Sequence, residues 1–531
     1  MNKKENPTDR GNQRSSVWTQ MRAPMVEPFA PLNSDSSFDV AIVGGGIAGV
    51  TAALLLKRAG KKVALLESDR IASGDTSRTS AHLTEVLDQR FFRLIEDFGE
   101  SGARLAAEGG MTAIDRIETF CYQLSIDCDF ERVPAFLFAE TLRETWQLRK
   151  ELKSARKIGV AASWVKDLTL MGDSKRGSKP RIALRIENQA RIHPVRYVAA
   201  LAHGIEGGGS HVFEHTPALE IKDGEPCRIR TPGGSIRAAD VIVLTHSPVS
   251  NRFVLQTKIA AYRTYVIAAR LNSAAKVEDA RALYWDLKDP YHYLRFVGDD
   301  LLLIGGEDHK TGMKCDSLEC FSRLELWARE RFDLGSIEQR WSGQVHESVD
   351  GLPFIGRNPT TEHLYVGTGF SGNGLTWGTL AAMITSDAIL GIANPYADLF
   401  HPSRVKVLAS IGSFIAENAE TPACFLGDRI ARPEAANLAD IAPGEGKLMK
   451  VDGKKVAVYR APEGDIKACS AVCPQMGCHV RWNNAESSWD CPCHGSRFDT
   501  DGQVLNGPSR SGLAKVPLEE VQEVGTRKNA A

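Results

Sequence analysis

Two groups of residues in this 531-residue chain have the types and spacing of chemistry. In the first, Gly44, Gly46 and Gly49 follow the apolar run 39–43 and open a helical stretch to Arg58, after which a second apolar run, 62–66, ends at Glu67. In that order the glycines have separate tasks: a tight turn, close approach of backbone to a pyrophosphate, and close packing of helix on strand. The helix N-terminus offers unpaired N–H groups to an anion. Glu67 stands where a carboxylate accepts from a ribose 2'-hydroxyl and disfavours a 2'-phosphate. The chemistry implied is a bound dinucleotide, NAD and FAD sharing this fingerprint. In the second group, Cys469, Cys473, Cys478, Cys491 and Cys493, five of the 11 cysteines, fall within 25 residues near the C-terminus, with His479 among them and His494 directly after. That clustering marks a metal-containing site, with structural zinc as its plainest occupant. The other six cysteines have no ligand spacing and read as ordinary thiols.

These residues need elements to position them. At about 150 residues per domain the length allows roughly three to four folding units. Residues 1–36 read as a flexible tail, and the turn and Glu67 belong to a β-α-β unit beginning at Phe38. A long middle region mixes helices (90–124, 142–158) with strand-like runs (241–245, 265–270, 301–305). Asn394-Pro395 and His401-Pro402 then punctuate the chain, so 37–395 is one catalytic unit and 396–441 a linker with its own helix at 405–418. Short strands between Gly, Pro and Asp turns make 442–524 a small all-β domain, with 525–531 a second tail.

Composition narrows the function. Lys and Arg total 65 against 66 Asp and Glu, with no basic stripe, so nucleic acid is not an expected partner. Two stretches lack charges, 40–56 and 364–386, but glycines interrupt both, and they read as buried turns and helices, not membrane spans. The first 22 residues lack the apolar core of a secretory signal, which points to the cytoplasm.

Far downstream, Trp341-Ser342-Gly343-Gln344, Asp350 to Gly356 and Gly367 to Gly374 resemble the C-terminal FAD motif of the D-amino-acid oxidase-like flavoproteins. The resemblance spans about 37–395 and includes Thr216-Pro217-Ala218 and the strand 240–246. It implies an α/β FAD-binding fold, Rossmann-like and of glutathione-reductase type, with a mixed-sheet substrate domain. FAD is the implied dinucleotide, contacted by Gly44, Gly46, Gly49, Glu67, Ala218, Gly351, Gly372, Asn373 and Gly374. In that family the helix after the last glycines points its N-terminus at the flavin edge where reduced flavin gathers negative charge. Members oxidise C–N bonds of amines or amino acids by hydride transfer to flavin. Arg78, in the loop beside the flavin, is a candidate partner for a substrate carboxylate, a solvated surface role being the alternative. His292, Tyr293 and Arg295 alternate along a strand that would line the pocket; the same alternation also suits a solvent-facing strand.

Cys473 to His479 and Cys491 to Asp499 resemble the two boxes of a Rieske iron–sulfur domain, with Gly507-Pro508 as its proline loop. Such a centre puts two cysteines on one iron and two histidines on the other. The resemblance makes Cys473 and Cys491 the thiolate ligands, His494 one imidazole, and Cys478 with Cys493 a disulfide joining the loops. It makes Ser496 a donor to a cluster sulfur, and it puts Phe498 where high-potential centres carry a tyrosine. One ligand departs: the first histidine is Gln475. A neutral amide is a poorer iron ligand than imidazole, so the outer iron of a 2Fe-2S cluster would be held weakly.

The two parts together resemble a bacterial group of FAD-dependent oxidoreductases with a C-terminal Rieske domain, over nearly the whole chain after residue 15. The expected function is oxidation of a small amine or amino acid, with electrons passed to the Rieske-type domain or to another, unidentified acceptor. The alternatives are an amine oxidase that uses dioxygen and carries a clusterless Rieske fold, or a non-catalytic flavin redox sensor. The purified protein is expected to be yellow with FAD. Gly46→Val should come out colourless, because its side chain would occupy the space of the pyrophosphate; an unchanged flavin absorbance would overturn the cofactor assignment.

Overall fold

A computed structural model describes residues 15–20, 27–168, 181–249, 255–272, 281–313, 316–404 and 433–521. Strand Ser36–Val43 runs between Val63–Leu66 and Gly234–Val243, parallel to both. Leu364–Thr368 joins Gly234–Val243 in parallel, Phe354–Arg357 closes that edge, and His211–Phe213 closes the other. A short antiparallel pair, Glu220–Lys222 with Cys227–Thr231, completes eight strands. Parallel strands covered on both faces are written as continuous apolar runs, and Val40 to Val43 and Val63 to Leu66 are buried throughout.

Helix Ile47–Arg58 is apolar on almost every side because it is sandwiched between this sheet and helix Gly374–Leu390. At their crossing a Cβ on Gly378 would stand 3.3 Å from the Ala48 side chain, so a small residue sets the separation. Both uncharged stretches are thus strand, turn and buried helix. Among the described residues no helix is long and apolar enough to cross a membrane.

The second sheet has nine strands and is mixed. Its long members Ile259–Leu271 and Leu334–Ser348 pair antiparallel, followed by Leu301–Lys310, Tyr293–Val297 and Leu283–Trp285. Leu283–Trp285 pairs parallel with Glu131–Ala139, which leads on to Arg181–Arg191 and His82–Leu83. Helix Leu142–Ile158 begins with a capping box of Thr141 and Glu144 and stops at Gly159, whose left-handed conformation ends it.

The C-terminal domain is all β, with strands Glu445–Val451, Lys454–Arg460 and Ile466–Ser470 in one sheet. Arg481–Asn483, Ser488–Asp490, Arg497–Phe498 and Val504–Asn506 form the other. Its docking onto the mixed sheet is made by the turn 483–488. There Glu486 lies 2.7 Å from Arg263 of the long strand, contacts Ser342, and pairs with Arg497, which in turn meets Asp490 at 3.0 Å. Arg263 is fully buried and Glu486 nearly so. Ser317 donates to Asn483 at 2.8 Å, Asn484 donates to Asp316 at 2.8 Å, and Ala485 joins the core beneath the mixed sheet.

Within the expected tail 1–36, Val17–Gln20 is helical and Trp18 is only 1% exposed. The Trp18 indole N–H donates to the Thr79 carbonyl at 2.7 Å, and its ring packs edge-on against His193. Phe29 and Leu32 donate their amides to Glu214 and Thr216. A large apolar ring with a polar handle gains enough by burial to fasten a segment whose composition reads as loose. The expected helix at 405–418 lies outside the described residues.

Breaking a buried ion pair by removing one partner costs roughly 3–5 kcal/mol. Glu486→Gln should therefore lower the denaturant midpoint at which the C-terminal domain detaches, followed by limited proteolysis of the full chain. Burial alone would raise the Glu486 carboxyl, but the Arg263 and Arg497 guanidiniums override it and hold it at about 2, below its ordinary 4.5. Its contribution is therefore complete above about pH 4.5 and lost as pH falls towards 2. The wild-type midpoint should fall over that window more steeply than that of Glu486→Gln.

Candidate flavin cavity and cluster loops

A cavity of about 870 Å³ opens at the C-terminal ends of the parallel strands. Gly44, Gly46, Glu67, Ala218 and Gly372 to Gly374 line one side, and His82, Thr264, Trp285, Tyr291 and Tyr293 of the mixed-sheet side face them. A third wall comes from the C-terminal domain: Val504 to Gly507, Ser509 and Arg510.

The turn suits an incoming diphosphate. Gly44 has φ +115°, and a Cβ there would lie 2.5 Å from the Leu244 carbonyl oxygen. Gly49 does not line the cavity; a Cβ on it would overlap the Gly44 carbonyl, so its task is the packing of helix on strand. Helix Ile47–Arg58 has no side-chain cap at Gly46, which leaves N–H groups for a ligand. Glu67 accepts from the Gly45 and Asp69 amides and the Ser68 hydroxyl, which fixes its carboxylate at the end of its strand. Across the cavity, helix Gly374–Leu390 also starts without a side-chain cap; Asn373 donates instead to the Val86 carbonyl, and Asp88 accepts from the Gly372 amide. These residues fit FAD.

The four residues expected to be catalytic separate. Arg78 lines the cavity and is half-buried. Its charge acts on Asp75 and Glu486. Burial pushes the Asp75 carboxyl up, but His246, Arg78 and the Gln344 amide bring it below its ordinary value. Tyr293 also lines the cavity; its hydroxyl meets Thr264 at 2.9 Å, and burial drives its phenol far up, so it stays protonated. His292 does not line the cavity. It directly precedes strand Tyr293–Val297 and packs away from the cavity, stacking on Trp327 at 4.3 Å and binding Asp286 at 2.9 Å through Nδ1. Arg295 shares the face of Tyr293 but sits beneath the cavity floor, donating to the Ala81 carbonyl at 2.7 Å with its guanidinium over Trp18. Gly351 is likewise outside the cavity: it turns the chain at φ +78° beside Gln89, next to the Asp350–Arg404 ion pair.

Several cavity residues had no catalytic role assigned to them. His82, read from the sequence as a non-covalent flavin neighbour or a surface residue, is one: burial and then the Arg295 charge push its imidazole down to about 3, so it is neutral. Asp75, His246 and Gln344 are others. Asp75 accepts from the Gln344 amide at 2.9 Å, and His246 Nε2 lies 2.9 Å from the Gln344 carbonyl. The Gln344 side chain then leaves the cavity and donates to the Gly495 carbonyl at 3.0 Å, next to His494. Gln344 stood inside a quoted motif and His246 ended the quoted stretch 240–246, but only tertiary pairing shows what they join.

The cluster loops are held close against this wall. Cys478 and Cys493 form a disulfide, while Cys473 and Cys491 are buried free thiols. The Cys491 thiol, the Gln475 and Met476 amides and the Ser496 hydroxyl hold Cys473 below its usual value against burial. His494 Nδ1 is buried with no partner among the described residues. Cys478, Cys491 and Cys493 also bring their sulfurs within 4.8 Å of one another, but two of these are spent in the disulfide. Two thiols and one unpaired imidazole nitrogen fit three ligand positions of a 2Fe-2S centre. At the fourth, Gln475 Nε2 donates to Gln256 Oε1 of the flavin-binding part at 2.6 Å, and Gln475 Oε1 is buried with no partner among the described residues. Phe498 is fully buried.

A dinucleotide cavity walled by an iron–sulfur fold defines a two-cofactor flavoprotein. Residues 39–388 match the family of FAD dependent oxidoreductases, to which this chain belongs, and 432–517 match the Rieske [2Fe-2S] domain. A Bacillus subtilis (strain 168) chain named as a Rieske 2Fe-2S iron-sulfur protein, YhfW, is 32% identical over 92% of this chain and 96% of its own length. Gamma-glutamylputrescine oxidoreductase of Escherichia coli (strain K12) is 26% identical over 70% of this chain and 89% of its own. The crystal structure of glycine oxidase from Geobacillus kaustophilus shares the fold of the flavin-binding part, with TM-score 0.58 and 19% identity over 70% of this chain and 99% of that one. FAD and a 2Fe-2S cluster are the cofactors that these two domains imply.

Two glycines permit the close approach. A Cβ on Gly495 would stand 2.3 Å from the Ala261 side chain, and one on Gly312 would stand 2.6 Å from the Pro492 nitrogen. Gly312→Ala should therefore lift the second cluster loop from the mixed sheet, read as faster amide hydrogen exchange at 491–496 in the full chain. Unchanged exchange there would show that the contact does not hold the loop.

Proposed function

We propose that this oxidoreductase oxidises the C–N bond of a small amine or amino acid in the shared cavity and passes the electrons singly to its own Rieske domain. The observation that carries the reading is the third wall: residues 504–510 of the C-terminal domain face the same cavity as the dinucleotide turn, and Gln344 bonds that cavity to the loop of His494. The oxidation of amines and amino acids is suggested by the names of the relatives and by this cavity. When bound, FAD supplies the acceptor for a hydride from the substrate carbon, and the 2Fe-2S cluster a one-electron carrier.

The protein's own part is positioning. Trp285, Tyr291 and Tyr293 form an aromatic wall, and both phenols, kept protonated by burial, can donate to a bound ligand but do not serve as bases. His82 is too weak a base to hold a proton at neutral pH; its Nε2, buried without a protein partner, can accept an N–H from the substrate and orient the reacting carbon.

An anaerobic panel of primary amines, secondary amines and amino acids tests the proposal. A substrate should bleach the visible flavin band and then produce the electron-resonance signal of the reduced cluster, with no oxygen present. A panel that never bleaches the flavin would favour the redox sensor. Bleaching followed by rapid reoxidation in air, with the cluster never reduced, would make the protein an oxidase and the C-terminal domain a docking element.

A further inference from the structure

We infer that Gln475 is the fourth protein ligand of the iron–sulfur cluster, binding the outer iron through Oε1, with Gln256 as the residue that aims it. The inference rests on the cluster that the Rieske match implies, and adds the ligand that the sequence lacks. Gln475 takes the place of a histidine, and its amide is polarised in use. Nε2 donates to Gln256 Oε1 at 2.6 Å, and Gln256 Nε2 donates in turn to the Pro248 carbonyl at 3.0 Å. Gln256 is itself buried, so this chain fixes which end of the Gln475 amide faces the flavin-binding part. The other end, Oε1, is buried with no donor among the described residues.

A buried carbonyl oxygen without a partner costs about 1–3 kcal/mol, so one kept in place calls for an explanation. A cation facing it supplies one. His494 Nδ1, on the other loop, is unpaired in the same way, and the disulfide joins the two loops. The backbone N–H groups of Gln475 and Met476 point to Cys473, so the loop already wraps that sulfur at its start. Both an amide oxygen and an imidazole nitrogen are neutral donors, so the exchange leaves the charge of the site unchanged. The oxygen is the harder donor and favours the oxidised iron. The bond forms by donation of a lone pair, with no proton or electron lost. Gln256 acts as second partners of metal ligands do, by orienting the group that binds.

The test uses the full chain, prepared anaerobically with ferrous iron and sulfide, as wild type and as Gln475→His, Gln475→Ala and Gln256→Leu. The readouts are iron and acid-labile sulfide per chain, the electron-resonance spectrum of the dithionite-reduced protein, and pulsed-resonance counting of strongly coupled nitrogens. Wild type should hold the cluster with one coupled imidazole nitrogen, and Gln475→His should show two and a higher reduction potential. Gln475→Ala should lose iron, and Gln256→Leu should bind iron about 10-fold more weakly, the low end of the effect of removing a residue that orients a ligand. Wild-type iron content and spectrum in Gln475→Ala would overturn the ligand, as would a cluster that forms only in Gln475→His. No iron in any variant, Gln475→His included, would instead overturn the cluster itself.

Discussion

The structure turns on one buried carboxylate. Glu486 is held between Arg263 of the mixed sheet and Arg497 of the C-terminal domain, and Asp490 supplies the second negative charge. Taking such charges out of water is costly, and their mutual attraction offsets that cost only where geometry and extra hydrogen bonds are good. Here Ser342 and Ser488 complete the set, by contacts with Glu486 and with Arg497 and Asp490. An arrangement so demanding has few alternatives, so it fixes orientation as well as contact. Strand Ser488–Asp490 begins two residues after Glu486 and runs straight into Cys491. The placement of the second cluster loop therefore follows from where Glu486 is pinned.

From that anchor the remaining contacts are short. Gly312 lies against the Cys491–Pro492 backbone, Gly495 lies against Ala261, and Gln344 reaches from the cavity to the Gly495 carbonyl. Each of the two cluster loops is tied to the flavin-binding part through a glutamine amide: Gln344 for the second and Gln256 for the first. Neutral amides suit this position. They bond across a buried seam without adding charge beside a site whose thiolates and iron already dominate the local field.

Local pattern carried most of the fold. The β-α-β unit, helix Leu142–Ile158 with its cap residues and the turn-rich C-terminal strands all follow from periodicity and turn chemistry, and the structure has them. The cofactor turn was legible because its glycines and Glu67 lie within one short stretch. What stayed hidden depended on pairing at long range. Arg295 shares a strand with Tyr293 and His292 directly precedes it, yet whether a position faces a cavity, Trp327 or the underside of the floor is decided by what packs there. Trp18 looked like part of a polar tail because its partners, Thr79 and His193, are distant in sequence. No spacing rule connects Arg263 to Glu486.

The nature of the interface also bears on how two redox sites would communicate. A domain that swings between partners needs a contact it can leave cheaply, small and already hydrated on both faces. This one cannot be left cheaply. Undocking would leave Arg263 without Glu486, pull Ala485 out of the core under the mixed sheet, and strip the cavity of the wall formed by 504–510. The same separation would free Gln475 from Gln256 and Gly495 from Gln344. The cavity and the cluster loops are thus held together by buried contacts, and the distance between them is set by packing. Gln344 bridges the two, because its backbone belongs to the cavity wall and its side chain to the loop of His494.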